Sequence, residues 1–307
     1  MMDMDLKQYI KNNQSVLDID FTTASHDAKV RWYEFLKQST MLDLSLGHCL
    51  QHNQSARISI QLSNCTSAKD YLNSQPGHEL IGTNSVIKHH DSCKIVDSKI
   101  VGEKHYVSNL GFCNYHVLWI ANQNLNQDQV IFFRDDAVGV SKDLTFDPLG
   151  MEATRTGRVL FDHVADYQVL YPLNSDENTI RSHYHNFSFC TVSLALCQRL
   201  LEEIQTIAST KNIGLGLDIA SHQQQLDLYN DLWYQMLTFL GSAFFDSHKI
   251  HRIYSQSKLM IAELVKILIL IGDSRHTQWG PTSQLFRDAL TYATHRQNFS
   301  TSLVKYF

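Results

Sequence analysis

Along this chain the spacing of apolar residues changes twice. Between residues 27 and about 64 it is helical, with Val30, Tyr33 and Leu36 followed by Leu42, Leu46 and Leu50, which predicts two or three helices. Between Pro76 and Pro172 it changes to short runs rich in Val, Ile, Tyr and Phe, separated by Gly, Asn and Asp. The runs at 93–97, 104–108, 115–121, 129–134 and 158–164 predict strands, with Asp147-Pro148-Leu149-Gly150 as a turn. No helical stretch intervenes to serve as a parallel crossover, so the strands are expected to be antiparallel and to close into a small β-barrel or sandwich.

From Asn186 onward the period is helical again. Phe189, Val192, Leu196, Leu200, Ile204 and Ile207 form one stripe, and Leu226, Tyr229, Trp233, Met236, Leu237, Leu240 and Phe244 a second. Tyr254, Ser257, Ile261, Leu264, Leu268 and Ile271 form a third, and a shorter fourth helix is expected to open at Pro281 and run past His295. The expected architecture is α+β and multidomain. It comprises a short N-terminal helical segment (1–75), a central antiparallel β-barrel or sandwich (76–175) and a C-terminal four-helix up-and-down bundle (176–307).

Composition narrows the partners. The chain has 307 residues, 43% of them hydrophobic and 19% charged, enough for a sizeable core. A net charge of -5 leaves no basic face to neutralise a run of phosphates, so a small molecule is a better expected partner than nucleic acid. The longest apolar stretch, 261–272, is interrupted by Glu263 and Lys266 and is too short for the roughly 20 residues that span a bilayer. Residues 1–10 carry acidic residues and no apolar h-region, so the expected location is the cytoplasm. The six cysteines show no CxxC spacing and are expected as free thiols in or near the core.

Two ordered segments in the β-unit carry a resemblance. Gly102-Glu103-Lys104-His105-Tyr106-Val107-Ser108-Asn109, followed by the apolar strand from Tyr115, is similar to the strand that runs beside the flavin in acyl-CoA dehydrogenases. Pro148-Leu149-Gly150-Met151-Glu152-Ala153-Thr154-Arg155-Thr156-Gly157-Arg158-Val159-Leu160-Phe161-Asp162-His163-Val164 resembles a second signature of that superfamily. Leu285-Phe286-Arg287-Asp288-Ala289 with His295 resembles its last catalytic stretch. The family's opening helices have no counterpart in this reading.

The resemblance implies a flavin, FAD or FMN, with Tyr106, Ser108, Asn109, Thr154, Thr156 and Arg287 as cofactor-binding positions. A dehydrogenase of acyl thioesters needs a carboxylate to take the α-proton. At the two positions where the family carries that base, this chain has Arg296 and Ser209. The two-component monooxygenase branch instead shows R-D followed by His, and Arg287, Asp288 and His295 stand at that interval. In that branch a serine donates to flavin N5 and a histidine serves the oxygen side, with water kept out. Ser108 and His295 are in register with them and are the expected catalytic pair.

The implied function is therefore a flavin-dependent oxidoreductase, a monooxygenase using reduced flavin and O2 on a small organic substrate. A separate flavin reductase and assembly as a homodimer or homotetramer go with it. Two alternatives stay open. One is an acyl-CoA dehydrogenase using FAD, with Glu202, Glu203 or Glu263 as its base. The other is a catalytically silent homologue kept as a binding or assembly partner.

Plain structural roles stand beside each of these. Ser108 can be a strand hydroxyl, Arg287 and Asp288 can cap and pair helices, and Thr154 and Thr156 can shape a turn and a strand start. His295 is one of 16 histidines. His48 and His52, four residues apart around Cys49, lack an evident third ligand and are not expected to hold zinc. The pairs His183 with His185 and His89 with His90 are weaker still. Gly214 and Gly216 open no βαβ unit, and the stripe from Trp233 to Phe244 is expected as bundle core.

Overall fold

A computed structural model describes residues 6–74, 80–84, 92–145, 151–214, 217–271 and 281–294. The first helices are α1 (Leu6–Asn12), α2 (Gln14–Leu17), α3 (His26–Leu42), α4 (Leu44–Leu62) and α5 (Thr66–Ser74). Ser25 starts α3 by accepting a hydrogen bond from Ala28 N. Asp43, in an extended conformation, ends α3 and starts α4, its carboxylate accepting from Leu46 N. Two helices thus meet at one residue. Just past the corner they approach so closely that a Cβ on Gly47 would lie 2.1 Å from Thr40 Oγ1 and 2.9 Å from Thr40 Cα.

The strands are β1 (Leu80–Asn84), β2 (Lys94–Val96), β3 (Lys99–Val107), β4 (Cys113–Asn122), β5 (Gln127–Arg134), β6 (Val140–Asp143), β7 (Gly157–Val164) and β8 (Gln168–Pro172). They form one eight-stranded sheet in the order β6-β7-β3-β2-β4-β5-β8, with β1 also on β4. The antiparallel expectation holds for β2–β3, β3–β7, β4–β5, β5–β8 and β6–β7. It fails for β1–β4 and β2–β4, which are parallel.

The reason is that a crossover need not be a helix. β1 and β2 share a single slot between β3 and β4. β1 pairs with the start of β4 from Cys113 to Leu118, and β2 with its end at Ala121 and Asn122. β3, paired with β2 at one end, meets β1 at the other through a bridge between Ser108 and Thr83.

The centre of the sheet is buried on both faces. In β5, Ile131 and Phe133 join a core with Leu118, Ile120, Val159 and Phe161, while Val130 and Phe132 pack with Val117 against Ala56, Ile60, Ala68 and Tyr71 of α4 and α5. Alternation along a strand sends successive side chains to these two cores, which is why the segment reads as one apolar run.

The last helices are α6 (Asp176–Lys211), α7 (Leu217–Leu237), α8 (Ser247–Ile271) and α9 (Pro281–Thr294). α6 starts at Ser175, whose side chain accepts from Asn178 N, and stops at Asn212 in the left-handed conformation. It packs on α8, α4, α3 and α7, and α9 packs on α8. Trp233 Nε1 donates to Thr191 Oγ1 at 2.8 Å, joining α7 to α6.

α7 ends at Leu237, so the second apolar stripe overruns its helix: Leu240 is buried in the following turn, while Phe244 is 82% exposed and is not core. Gly241 makes that turn with φ 84°, and a Cβ there would meet Tyr184 Oη at 2.3 Å. All six cysteines are free thiols, five of them buried. Among the described residues no helix is long and apolar enough to cross a membrane.

Candidate functional site

The site forms where sheet, α4 and α9 meet, and Ser108 is its centre. Ser108 follows β3 directly and is buried. Its backbone exchanges two hydrogen bonds with Thr83 on β1, Ser108 N to Thr83 O at 3.0 Å and Thr83 N to Ser108 O at 3.1 Å. With the backbone so committed, the hydroxyl is the residue's remaining polar group.

The strand bends just before it. The β3–β7 register shifts between Lys104 and Val107, and Tyr106 has φ 55°. Asn84 Nδ2 holds that bend by donating to His105 O and Tyr106 O. Half-buried Tyr106 lines a cavity of about 300 Å³ with His105, Asp143, Thr145, Gly157 and Arg158. The hydrogen bonds of Asp143 with Thr145 and Arg158 hold its carboxyl far below the usual range.

Asn109 locks three elements together. It is fully buried with φ 65°, and its Nδ2 donates to Cys49 O on α4 at 3.1 Å and to Ile81 O on β1 at 3.3 Å. Its N–H donates to Thr154 O at 3.1 Å, and Leu110 N to Arg155 O at 3.1 Å. The segment 151–156 is in turn tied to α9, because Met151 N donates to Asp288 Oδ1 at 2.7 Å. The strand carrying Ser108 and the last helix are thus linked through one short loop.

Asn109 Oδ1, an acceptor, is buried without a hydrogen-bond partner, and so is Arg287 Nε, a donor, on the residue of α9 that precedes Asp288. Arg287 Nη2 donates to Gln284 Oε1 at 2.5 Å. Asp288 is 2% exposed and also accepts from Gln284 Nε2 at 2.7 Å. Burial pushes its carboxyl up to about 6; Asp43 adds to the rise, while the bonds from Met151 and Gln284 and the charge of Arg199 oppose it.

The expected residues divide accordingly. Asn109 bonds directly to Thr154, Ser108 and Tyr106 lie just before it on the chain, and Arg287 stands on α9 next to Asp288, the residue that binds the 151–156 loop. Asn109 holds the frame with its amide nitrogen, and Thr154 is a turn-former whose hydroxyl donates to Met151 O at 2.8 Å and lies 2.9 Å from Thr156 Oγ1. His295, Arg296, His89 and His90, and the turn 147–150, lie outside the described residues.

Sequence reasoning passed over Thr83, which pairs with Ser108, and the polar side of α4 apart from His48 and His52. Every residue from Leu44 to Ile60 is buried. Three of its polar side chains answer different neighbours, while both amide atoms of Gln51 are buried without a hydrogen-bond partner. Asn53 Oδ1 accepts from Ile81 N at 3.0 Å, Gln54 Nε2 donates to Tyr33 Oη at 3.1 Å, and Ser55 Oγ accepts from Arg181 Nη1 at 3.0 Å. The rings of His48 and His52 meet edge to face with centroids 4.3 Å apart, and that of His52 lies 6.2 Å from the ring of His185. Among the described residues no three His, Cys, Asp or Glu side chains are placed to hold a metal ion. Beside them Lys258 lies over the rings of Tyr292 and Tyr254, at 4.8 and 5.8 Å, and burial pushes its ammonium down to about 7.

No family model and no curated protein matches the chain. Solved structures do match. A dibenzothiophene monooxygenase from a Paenibacillus species superposes with a TM-score of 0.74 at 15% identity over 95% of this chain and 86% of that one. The same enzyme is also known in complex with FMN and indole. Butyryl-CoA dehydrogenase from Megasphaera elsdenii gives 0.75 at 13% identity over 94% of this chain and 84% of that one. Glutaryl-coenzyme A dehydrogenase with glutaryl-CoA gives 0.80 at 12% identity over 94% and 82%. At these identities the likeness is one of fold, and the fold of this chain is that of the acyl-CoA dehydrogenase superfamily.

Proposed function

We propose that this protein is a flavin-dependent oxidoreductase, a monooxygenase that uses reduced FMN or FAD and O2 on a small organic substrate. One observation carries the reading: a buried hydroxyl, Ser108, stands on a pinned backbone next to an unbonded acceptor, Asn109 Oδ1, and the loop bonded to Asn109 is tied to the helix that carries an unbonded donor, Arg287 Nε. A planar ring with polar atoms along its edge fits that donor set, since a buried polar atom is expensive to leave unpaired. Bound reduced flavin would supply the electrons and the place where oxygen is activated. Ser108 then donates to the ring, Arg287 offsets its charge, and Thr154, Thr156 and Tyr106 shape the wall beside it. His295 is assigned to the oxygen side by its interval from Arg287 and Asp288.

The carboxylates considered as a dehydrogenase base support this choice. Glu202 and Glu263 are exposed, the first bonded to Gln198 at 2.8 Å and the second to His222 at 3.0 Å, and half-buried Glu203 faces the charge of Arg199. Ser209 is exposed near the end of α6. Asp288, the buried carboxyl at the junction, has one oxygen already committed to Met151 N and Gln284 Nε2. The reading includes a separate flavin reductase, a cytoplasmic location and a homo-oligomer. It takes the sheet as a closed barrel or sandwich, α6 to α9 as an up-and-down four-helix bundle, and the units as 1–75, 76–175 and 176–307.

Anaerobic titration of the full chain with dithionite-reduced FMN and FAD tests it. Saturable binding is expected, weakened about tenfold in Ser108→Ala, the loss of one hydrogen bond to a charged or polar ring. His295→Ala should keep that binding and release the consumed oxygen as free hydrogen peroxide. Absence of flavin binding overturns the proposal, and bleaching of bound FAD by an acyl-CoA without oxygen transfers the assignment to the dehydrogenases.

A further inference from the structure

We infer a second binding site, independent of the flavin reading, in which a small molecule bearing a phosphate or carboxylate is held by Arg57 and Lys69. The site is a cavity of about 640 Å³ bounded by Asp18, Asp20 and Thr22 after α2, Arg57 and Gln61 on the last turns of α4, and Lys69, Leu72, Asn73 and Ser74 on α5. That volume is in the range of small-molecule sites, roughly 300–1,000 Å³. Arg57 lies two turns along α4 from Cys49, roughly 12 Å at the helical rise, so the cavity stands apart from the Asn109 junction.

The argument rests on which hydrogen-bonding groups are already spent. Asp20 Oδ1 accepts from both Thr22 N and Thr22 Oγ1. Gln61 bridges Phe21 N and Ile19 O. Ser74 Oγ donates to Tyr71 O. Asp18 accepts from Gln14 Nε2 through one oxygen and from Arg57 Nη2, at 3.2 Å, through the other. Both oxygens of Asp18, one oxygen of Asp20 and the Gln61 amide are therefore committed to the fold.

The cations keep capacity in reserve. Arg57 is 7% exposed, and its Nε is buried without a hydrogen-bond partner. Lys69, half-buried on the opposite wall, contributes an ammonium with three donors. A guanidinium donor deprived of both water and acceptor selects an oxyanion, because the planar fork matches two oxygens on one phosphorus or carbon. Asp18, held beside Arg57, and Asp20, whose carboxyl feels the charge of Lys69, keep the cavity near neutrality and so favour a single anionic group over a polyanion.

Calorimetric titration of the full chain with inorganic phosphate and with succinate, at constant ionic strength, provides the test. One-site saturable binding of either probe is expected. Phosphate alone would identify a phosphoryl group as the natural ligand's anchor, and succinate alone a carboxylate. Lys69→Met and Arg57→Lys, the latter keeping the charge beside Asp18 but lacking Nε, should each weaken it about tenfold or more. The inference is overturned if neither probe saturates, or if both variants bind as the unmodified chain does. Should Arg57→Lys fail to fold, as judged by circular dichroism, Lys69→Met decides alone on the same criterion.

Discussion

Asp288 carries a proton more readily in the folded chain than in the unfolded one, because burial raises its carboxyl from the ordinary 3.8 to about 6. Between those values the folded state binds the extra proton, so this residue favours folding below about pH 4 and progressively loses that contribution as pH rises through 6. The difference is on the order of 3 kcal/mol. Asp288→Asn keeps an amide oxygen for Met151 N and Gln284, and should be as stable as the parent or more so at pH 7. Denaturant midpoints at pH 4 to 8 should lose the part of their slope lying between pH 4 and 6; an unchanged slope would show that Asp288 titrates normally. Asn109 makes a different demand, since its amide serves two buried carbonyls and its backbone is left-handed. Asn109→Ala should cost roughly 2–4 kcal/mol for the unpaired carbonyls, and Asn109→Gly should recover the backbone part of the loss alone, as a shift in urea midpoint would record.

At the scale of elements, the corner at Asp43 brings α3 and α4 into backbone contact at Gly47. Alanine is the better helix former by about 1 kcal/mol, yet Gly47→Ala should destabilise by roughly 2 kcal/mol, because its methyl meets the Thr40 backbone as well as its side chain. Thr40→Ala should therefore rescue it only in part; full recovery of the melting temperature would contradict the close approach.

Elements were legible where one period dominates. The five expected runs correspond to β2, β3, β4, β5 and β7, and the helical stripes to α3, α4, α6 and α8, because each buries an apolar face that its spacing records. β1, β6 and β8 left no such trace: Leu80–Asn84 holds a glycine and an asparagine, Val140–Asp143 is a polar edge, and Gln168–Pro172 is a short edge strand closed by proline. The parallel pairings escaped because their crossover is a β-hairpin. In the site, the register of Ser108 was readable from its neighbours, whereas the task of Asn109 was not, since an amide that clamps backbone and one that holds a ligand look alike in sequence. α4 escaped for a related reason: its polar residues suggest a solvent face, and what satisfies them lies on elements distant in the chain.

For the molecule as a whole, the slot between β3 and β4 has a dynamic consequence. Two short strands laid end to end, where one long strand would normally run, make that row of the sheet a pair of separately removable tiles. Lifting β1 breaks the Thr83–Ser108 pair but leaves the β2–β3 pairing whole. The amides of Thr83 and Ser108 should therefore exchange with deuterium together, and sooner than those of Ile100 and Val101, in native-state hydrogen exchange. Exchange of all four in one step would mean that the row opens as a single piece. If the tiles do lift separately, the hydroxyl at the heart of the junction can be uncovered and recovered without unfolding the sheet that carries it.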